Sequence, residues 1–188
     1  MTLRVDFDTD RWVYVPRDFP WNGYETADEW VATVSRLASE AFEYGEDATD
    51  QLEHFLRQLL AYPRMTPDIH RFALLGAPDG SLEMVQVLET PTDGDTDMDR
   101  LLGLPDPAMT RDPEITSVTG GLGEGRRAVR HTRADDLGGD IVVSVNWAWR
   151  TGGSDVVVMY GTSNLVLLDT VLPVLDQFAA SISLADAA

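Results

Sequence analysis

Four stretches that read as strands, Glu114 to Thr119, Arg126 to Arg133, Ile141 to Trp149 and Val156 to Tyr160, follow one another with only short glycine-rich connectors between them. The connectors are Gly120-Gly121-Leu122-Gly123-Glu124-Gly125, Asp135-Asp136-Leu137-Gly138-Gly139 and Thr151-Gly152-Gly153. Parallel neighbours need a crossover of a dozen or more residues, which these connectors cannot supply, so the stretches are predicted to form an antiparallel meander.

The first half of the chain reads differently. Leu3 to Phe7 and Trp12 to Val15 are short extended segments around the polar break Asp8-Thr9-Asp10. After the aromatic, turn-rich Pro16 to Tyr24, Thr26-Ala27-Asp28-Glu29 matches a capping box and predicts a helix start. Trp30, Val34, Leu37, Ala38, Ala41 and Phe42 then recur at helical spacing, with Gly45 as the expected stop. Leu52, Phe55, Leu56, Leu59 and Leu60 form a second stripe that ends at Pro63, so an antiparallel helical hairpin is expected. Arg71 to Leu75 and Leu82 to Leu88 flank Gly76-Ala77-Pro78-Asp79-Gly80 and read as a β-hairpin. Between Thr90 and Pro113 lies an acidic, proline-containing loop with one helical turn expected near Asp99 to Gly103.

The C-terminal part runs from a strand, Val156 to Tyr160, through Gly161-Thr162-Ser163-Asn164 into a helical segment expected to continue to Ile182. Pro173 interrupts it, which predicts either a kink or a fresh start capped by Asp169-Thr170. Helices before and after an antiparallel meander make an α+β fold, expected here as one domain over residues 1–188. Tyr160-Gly-Thr-Ser-Asn164-Leu-Val-Leu-Leu168, followed by Leu172-Pro-Val-Leu-Asp176-Gln-Phe-Ala-Ala-Ser-Ile182, resembles the closing strand and helix of the Mog1/PsbP-like (LpqN-like) superfamily. That superfamily includes a Ran-binding protein, a photosystem II extrinsic subunit and bacterial LpqN-type lipoproteins. The resemblance implies a fold and covers about the last third of the chain. It transfers no functional residue, and it leaves the early helical hairpin unaccounted for.

Charge restricts the partners. The 188 residues include 32 acidic and 14 basic ones, every basic residue is arginine, and the net charge is -18. A polyanion would be repelled over most of such a surface, which argues against nucleic acid and against an anionic membrane. Hydrophobic residues at 44% supply a core in spite of this acidity. With no cysteine there is no disulfide and no sulfur ligand for a metal. Met1 to Asp8 carries no basic and apolar leader pattern, and no stretch approaches a membrane span, so a cytoplasmic location is expected.

Against this background the one basic concentration stands out: Arg126, Arg127, Arg130, His131 and Arg133, entered through the glycines at 120–125. Glycine amides beside guanidiniums suit an anion. The alternative is a hairpin turn with an arginine-rich strand face neutralised by neighbouring carboxylates. Val145, Trp147 and Trp149 share one strand face by alternation, either to stack on a ligand or as core, with Asn146 and Arg150 on the other. Phe19, Trp21 and Tyr24 pose the same choice in the early aromatic loop, where an exposed patch would be a partner surface. Thr92 to Asp99 alternates carboxylates as a calcium loop does, but Met98 and Leu104 stand where an EF-hand needs glycine and glutamate. His54, His70 and His131 are isolated, and Ser163 reads as a helix-start residue and not as a nucleophile.

No motif for a nucleophile, metal or cofactor emerges, so the expectation is a non-catalytic binding or adaptor protein with a basic protein partner, such as a toxin or a secretion substrate. Its candidate contact residues are Arg126, Arg127, Arg130, His131, Trp147, Trp149 and Trp21. Two alternatives stand beside it. One is a small-ligand binder, and the other a small hydrolase or isomerase using Arg127, His131 and Trp147 with a carboxylate of the acidic loop.

Overall fold

The computed structural model describes residues 2–76, 82–134 and 138–185. Its elements run β1 (Thr2–Val5), β2 (Trp12–Val15), α1 (Ala27–Phe42), α2 (Glu46–Ala61), β3 (Ile69–Leu74), β4 (Glu83–Pro91), α3 (Met98–Leu101), β5 (Glu114–Gly120), β6 (Gly123–Ala134), β7 (Asp140–Thr151), β8 (Ser154–Thr162), α4 (Leu165–Ala180) and β9 (Ile182–Ala185). The fold is α+β, with an antiparallel meander, an early helical hairpin and a helix near the C-terminus. The chain forms two compact units, one of Met1–Phe7 with Val85–Ala188 and the other of Asp8–Met84.

In the unit of Asp8–Met84, local chemistry sets the helix ends. The Thr26 hydroxyl accepts from the Glu29 amide at 3.2 Å, while the Glu29 carboxylate reaches back to the Glu25 amide at 2.9 Å. The return bond of the capping box thus lands one residue earlier than in the standard arrangement. The expected stop at Gly45 is corrected: α1 ends at Phe42, Glu43 takes the left-handed conformation at φ 55°, and Gly45 is the N-cap of α2. Asp28 with Arg57, Ser35 with Glu53 and Ser39 with Thr49 give α1 and α2 an antiparallel register. Trp30, Val31, Val34, Ala38, Leu52 and Leu56 pack with Val15 and Ala73 from the paired strands β2 and β3. Leu37 and Phe55, placed in the apolar stripes by spacing, are instead 50% and 37% exposed. The residues at 77–81, which include most of the predicted β3–β4 turn, lie outside the described residues.

A buried arginine secures the end of α2. Arg71 on β3 is 1% exposed and donates to the carbonyls of Leu59, Tyr62 and Pro63, the last turn of α2 and its exit, with the Tyr62 ring 5.2 Å from its guanidinium carbon. Those carbonyls have no intrahelical donor, so the guanidinium fork supplies what the helix end lacks. Arg64 does the same for the carbonyls of Ile69, Val15 and Pro16. Burial, together with Arg64, lowers the Arg71 pKa.

The other unit is built on consecutive antiparallel pairs, β4 with β8, β8 with β7, β7 with β6 and β6 with β5. Register places Arg127, Trp147 and Val158 on one face, and Arg126, Ala148 and Val157 on the other. Helix α4 covers the first face. Asn164 caps it by accepting from the Leu167 amide at 3.1 Å, and it continues through Pro173, so the restart at Asp169-Thr170 does not occur. The helix stops at Ala180, two residues before the expected limit, because Ile182–Ala185 pairs with β1 as a separate two-stranded sheet. The acidic loop covers the second face by burying Leu102 and Leu104 against Ala128, Ala148 and Val157.

Replacing Arg71 leaves three carbonyls without a donor. Arg71→Ala is expected to lower unfolding stability by about 2 to 4 kcal/mol, and Arg71→Lys, which cannot fork to several acceptors, to recover less than half of that. Urea denaturation followed by circular dichroism measures both.

Candidate functional site

The arginine-rich strand divides its charges between the two faces of the sheet. On the loop face, Arg126 meets Asp99 at 2.6 Å, and Arg130 donates to the Gly103 carbonyl at 2.9 Å and to Asp106 at 3.2 Å. From β7, Arg150 grips Asp155 through two bonds at 2.7 and 3.0 Å and reaches the Thr96 carbonyl, while Asn146 donates to the Leu102 carbonyl at 3.2 Å. The acidic loop is therefore the counterion of this strand face. Gly103 sits at φ +78°, which L side chains rarely adopt, and a Cβ there would lie 2.7 Å from the Arg130 guanidinium and displace it.

The glycines before the arginines do not present a free anion cradle. The Gly121 amide donates to the Ala180 carbonyl at 2.9 Å, and a Cβ on Gly120 would meet the Ala180 backbone at 2.8 Å. The turn is glycine-rich because the end of α4 passes directly over it.

On the α4 face a polar constellation forms around Asp176. Trp147 Nε1 donates to Asp176 Oδ1 at 2.7 Å, and Arg127 Nη1 donates to Oδ2 at 2.5 Å. Trp147 and Trp149 are each 1% exposed, so both indoles are core residues, as the packing alternative had it. Beside them lies a cavity of about 350 Å³ lined by Val118, Thr119, Trp147, Trp149, Asp176, Gln177 and Ala180. Two buried donors, Trp149 Nε1 and Arg127 Nε, have no acceptor among the described residues. Spacing alone did not identify Asp176. The available signal was a single carboxylate within the apolar second half of α4, from Val171 to Ala180.

His131 does not join this constellation. Its two ring nitrogens lie 3.1 and 3.0 Å from Nε and Nη2 of Arg111, whose Nη2 also bonds Glu114 at 2.9 Å. Burial, then the charge of Arg111, lowers the His131 pKa, with Glu114 acting in the opposite sense. Trp21 belongs to the unit of Asp8–Met84, where it sits half-buried in an aromatic cluster. Its ring is 5.2 Å from Tyr14 and stacked 6.3 Å from Tyr24 across the Asn22-Gly23 turn. His54 bonds Gln58 at 2.9 Å, and His70 bonds Tyr14 at 3.3 Å.

The carboxylates of the calcium-like loop do not converge. Asp93 accepts from the amides of Thr96 and Asp95 and from the Thr96 hydroxyl, and these bonds hold its carboxyl below the usual range. Asp97 caps α3 and Asp99 faces Arg126. Among the described residues, no group of three or more His, Asp or Glu side chains is placed to hold a metal ion, and no helix is long and apolar enough to cross a membrane. No protein-family model matches the chain, and no curated protein matches it.

The Arg111 stack sets a pH dependence. A folded-state pKa below the ordinary histidine value of about 6.5 means that the unfolded state binds the proton more readily, so this contribution is present above pH 6.5 and is lost as pH falls through the folded value. The stability margin of the wild type over His131→Gln is therefore expected to narrow between pH 7.5 and pH 5. Parallel urea titrations at four pH values measure it, and a constant margin would contradict the assignment.

Proposed function

We propose that this protein is a non-catalytic binding module of Mog1/PsbP-like type that works in the cytoplasm and engages a protein partner with a basic surface. A toxin held by an immunity protein and a secretion substrate held by a chaperone are partners of that kind. The observation that carries this reading is how the cations are used. Arg17, Arg36, Arg57, Arg111, Arg126, Arg127, Arg130 and Arg150 each pair with a carboxylate of the chain itself. Arg64 and Arg71 are engaged by backbone carbonyls. With 32 acidic residues against 14 arginines, an excess of carboxylates is left for solvent or for a partner. Such a field speeds encounter with a basic protein and repels nucleic acid and anionic membranes.

The passage from β8 through the Asn164 cap into α4 supports the Mog1/PsbP-like reading, since it falls on the residues that carry the resemblance. The hydrolase or isomerase alternative has less support. Its three residues do not assemble, because His131 is held by Arg111 while Arg127 and Trp147 meet at Asp176. The carboxylate they share comes from α4 and not from the acidic loop.

The test is calorimetric titration of the purified protein with a panel of small, basic, folded proteins at about 20 and 300 mM salt. One-to-one binding by at least one of them, weakened at least about tenfold by the added salt, is expected from screening of the steering field. Absence of any salt-sensitive association sinks the proposal.

A further inference from the structure

Strand β5 closes one side of the meander: it pairs with β6, and among the described residues no further strand pairs with it. Such an edge offers a row of unpaired amides and carbonyls, and proteins ordinarily block it with lysine, proline, a bulge or a covering segment. Here the strand reads Glu-Ile-Thr-Ser-Val-Thr-Gly, with one charge at its start and no proline, and Glu114 to Ser117 are all exposed. Ile115 leaves 38% of its surface in solvent. The chain does cover the neighbouring edge. Where β6 extends past β5, the Thr110 amide donates to the His131 carbonyl at 2.8 Å, and the Arg133 amide donates to the Ala108 carbonyl at 3.0 Å. That cover stops before β5.

Ladder geometry tells which groups are open. The pair Gly120 and Gly123 closes the turn at Gly121-Leu122 and is hydrogen-bonded, so pairing with β6 alternates back along the strand through Val118, Thr116 and Glu114. The amides and carbonyls of Ile115, Ser117 and Thr119 therefore point outward. Beside the same strand lies the Asp176 cavity, with Val118 and Thr119 in its rim. The Asp176 carboxylate, which accepts from Trp147 and Arg127, stands in its wall. That carboxylate, with part of its side chain open to solvent, fits the NH2 of a side-chain carboxamide, which donates to the acid. A strand added to β5 would run about 4.8 Å beyond it, so its side chain needs the length of glutamine to reach over Val118.

We infer that the open edge of β5 is the docking site for an extended segment of a basic protein partner, which adds as a further strand and places a glutamine side chain in the Asp176 cavity. The inference rests on the basic-partner reading for the choice of occupant. A second copy of this chain would bring another -18 to the edge, whereas a segment flanked by lysine or arginine matches its charge. Main-chain bonds then give affinity, and the cavity gives selectivity at one position.

The probe is a synthetic peptide, Lys-Lys-Thr-Val-Gln-Val-Thr-Lys-Lys, titrated into the 15N-labelled full chain with amide shifts and hydrogen exchange recorded. Saturable binding that protects the amides of Ile115, Ser117 and Thr119 is expected. It should be lost with Ser117→Pro, which removes one outward amide at an edge position where proline is tolerated. A peptide N-methylated on alternate residues tests the same bonds with the protein untouched, and should not bind. Norleucine in place of glutamine is expected to weaken binding about tenfold, the loss of one hydrogen bond to a charged group.

Protection elsewhere, unchanged binding by the N-methylated peptide, or no binding at about 1 mM overturns the inference. So does a dimer of the free chain that Ser117→Pro dissociates, because a second copy then holds the edge. The two readings fail separately. Salt-sensitive binding of basic proteins that survives Ser117→Pro removes the edge assignment alone, while equal binding of a peptide with serine in place of every lysine removes the basic-partner reading and leaves the edge.

Discussion

The contact on which the meander depends is the one between the arginine-bearing face of β6 and β7 and the acidic loop that follows β4. Without the loop, Ala128, Ala148 and Val157 would be open to water, Arg126 would lose Asp99, Arg130 would lose Asp106 and the Gly103 carbonyl, and Arg150 would lose the Thr96 carbonyl while keeping Asp155. Magnitudes separate two roles within this contact. The Arg126–Asp99 pair, 40% and 44% exposed, contributes about 0 to 1 kcal/mol. Full burial of Leu102 contributes about 1.5 to 3 kcal/mol, so packing holds the loop down. The polar bonds decide how it lies, because Asn146 and Arg130 bind the carbonyls of Leu102 and Gly103 on successive residues of one turn.

The exclusive use of arginine has a structural counterpart. In the unit of Asp8–Met84, Arg64 and Arg71 each donate to three carbonyls. In the other unit, Arg150 holds a carboxylate with two bonds while also reaching a backbone oxygen. A lysine ammonium is a point charge on a flexible stem and serves such divided acceptor sets poorly. Arg64, Arg71 and Arg150 thus work inside the fold as multidentate ties, while Arg17, Arg36, Arg57 and Arg111 make exposed pairs with single neighbouring carboxylates or a carboxylate pair.

Much of the architecture was legible because it rests on local signals. Short connectors force antiparallel neighbours, Thr26 and Asn164 cap helices with their own side chains, and alternation sorts Trp147 from Asn146. What escaped depends on partners distant in sequence. Ile182–Ala185 continues an apolar run and becomes a strand only because β1 lies beside it. Glu43 takes the left-handed conformation that spacing assigned to a glycine, since Gly45 is already used to open α2. For the candidate site, sequence located the arginines but not their counterions. Asp176 is 49 residues from Arg127 and 29 from Trp147 along the chain, and nothing in local composition links them. The glycines at 120 and 121 had a local reading as a flexible loop, and a tertiary one as the place where α4 passes too close for a Cβ.

An unblocked edge strand is a hazard that most proteins meet with charges on the strand itself. Here Ile115 to Gly120 carries none, and the defence has to come from elsewhere. A net charge of -18 supplies it at the level of the whole molecule, because two copies approaching edge to edge repel before any amide is paired. The same field acts with opposite sign on a basic chain. On the proposed reading, global acidity and a locally neutral edge belong together: the first favours basic chains near the surface, and the second presents outward amides with which such a chain would pair. Charges placed on the strand would have prevented self-association equally well, but they would have closed the ladder to every partner. Carrying the repulsion on the surrounding surface keeps the ladder open, and makes discrimination depend on ionic strength while the pairing itself does not.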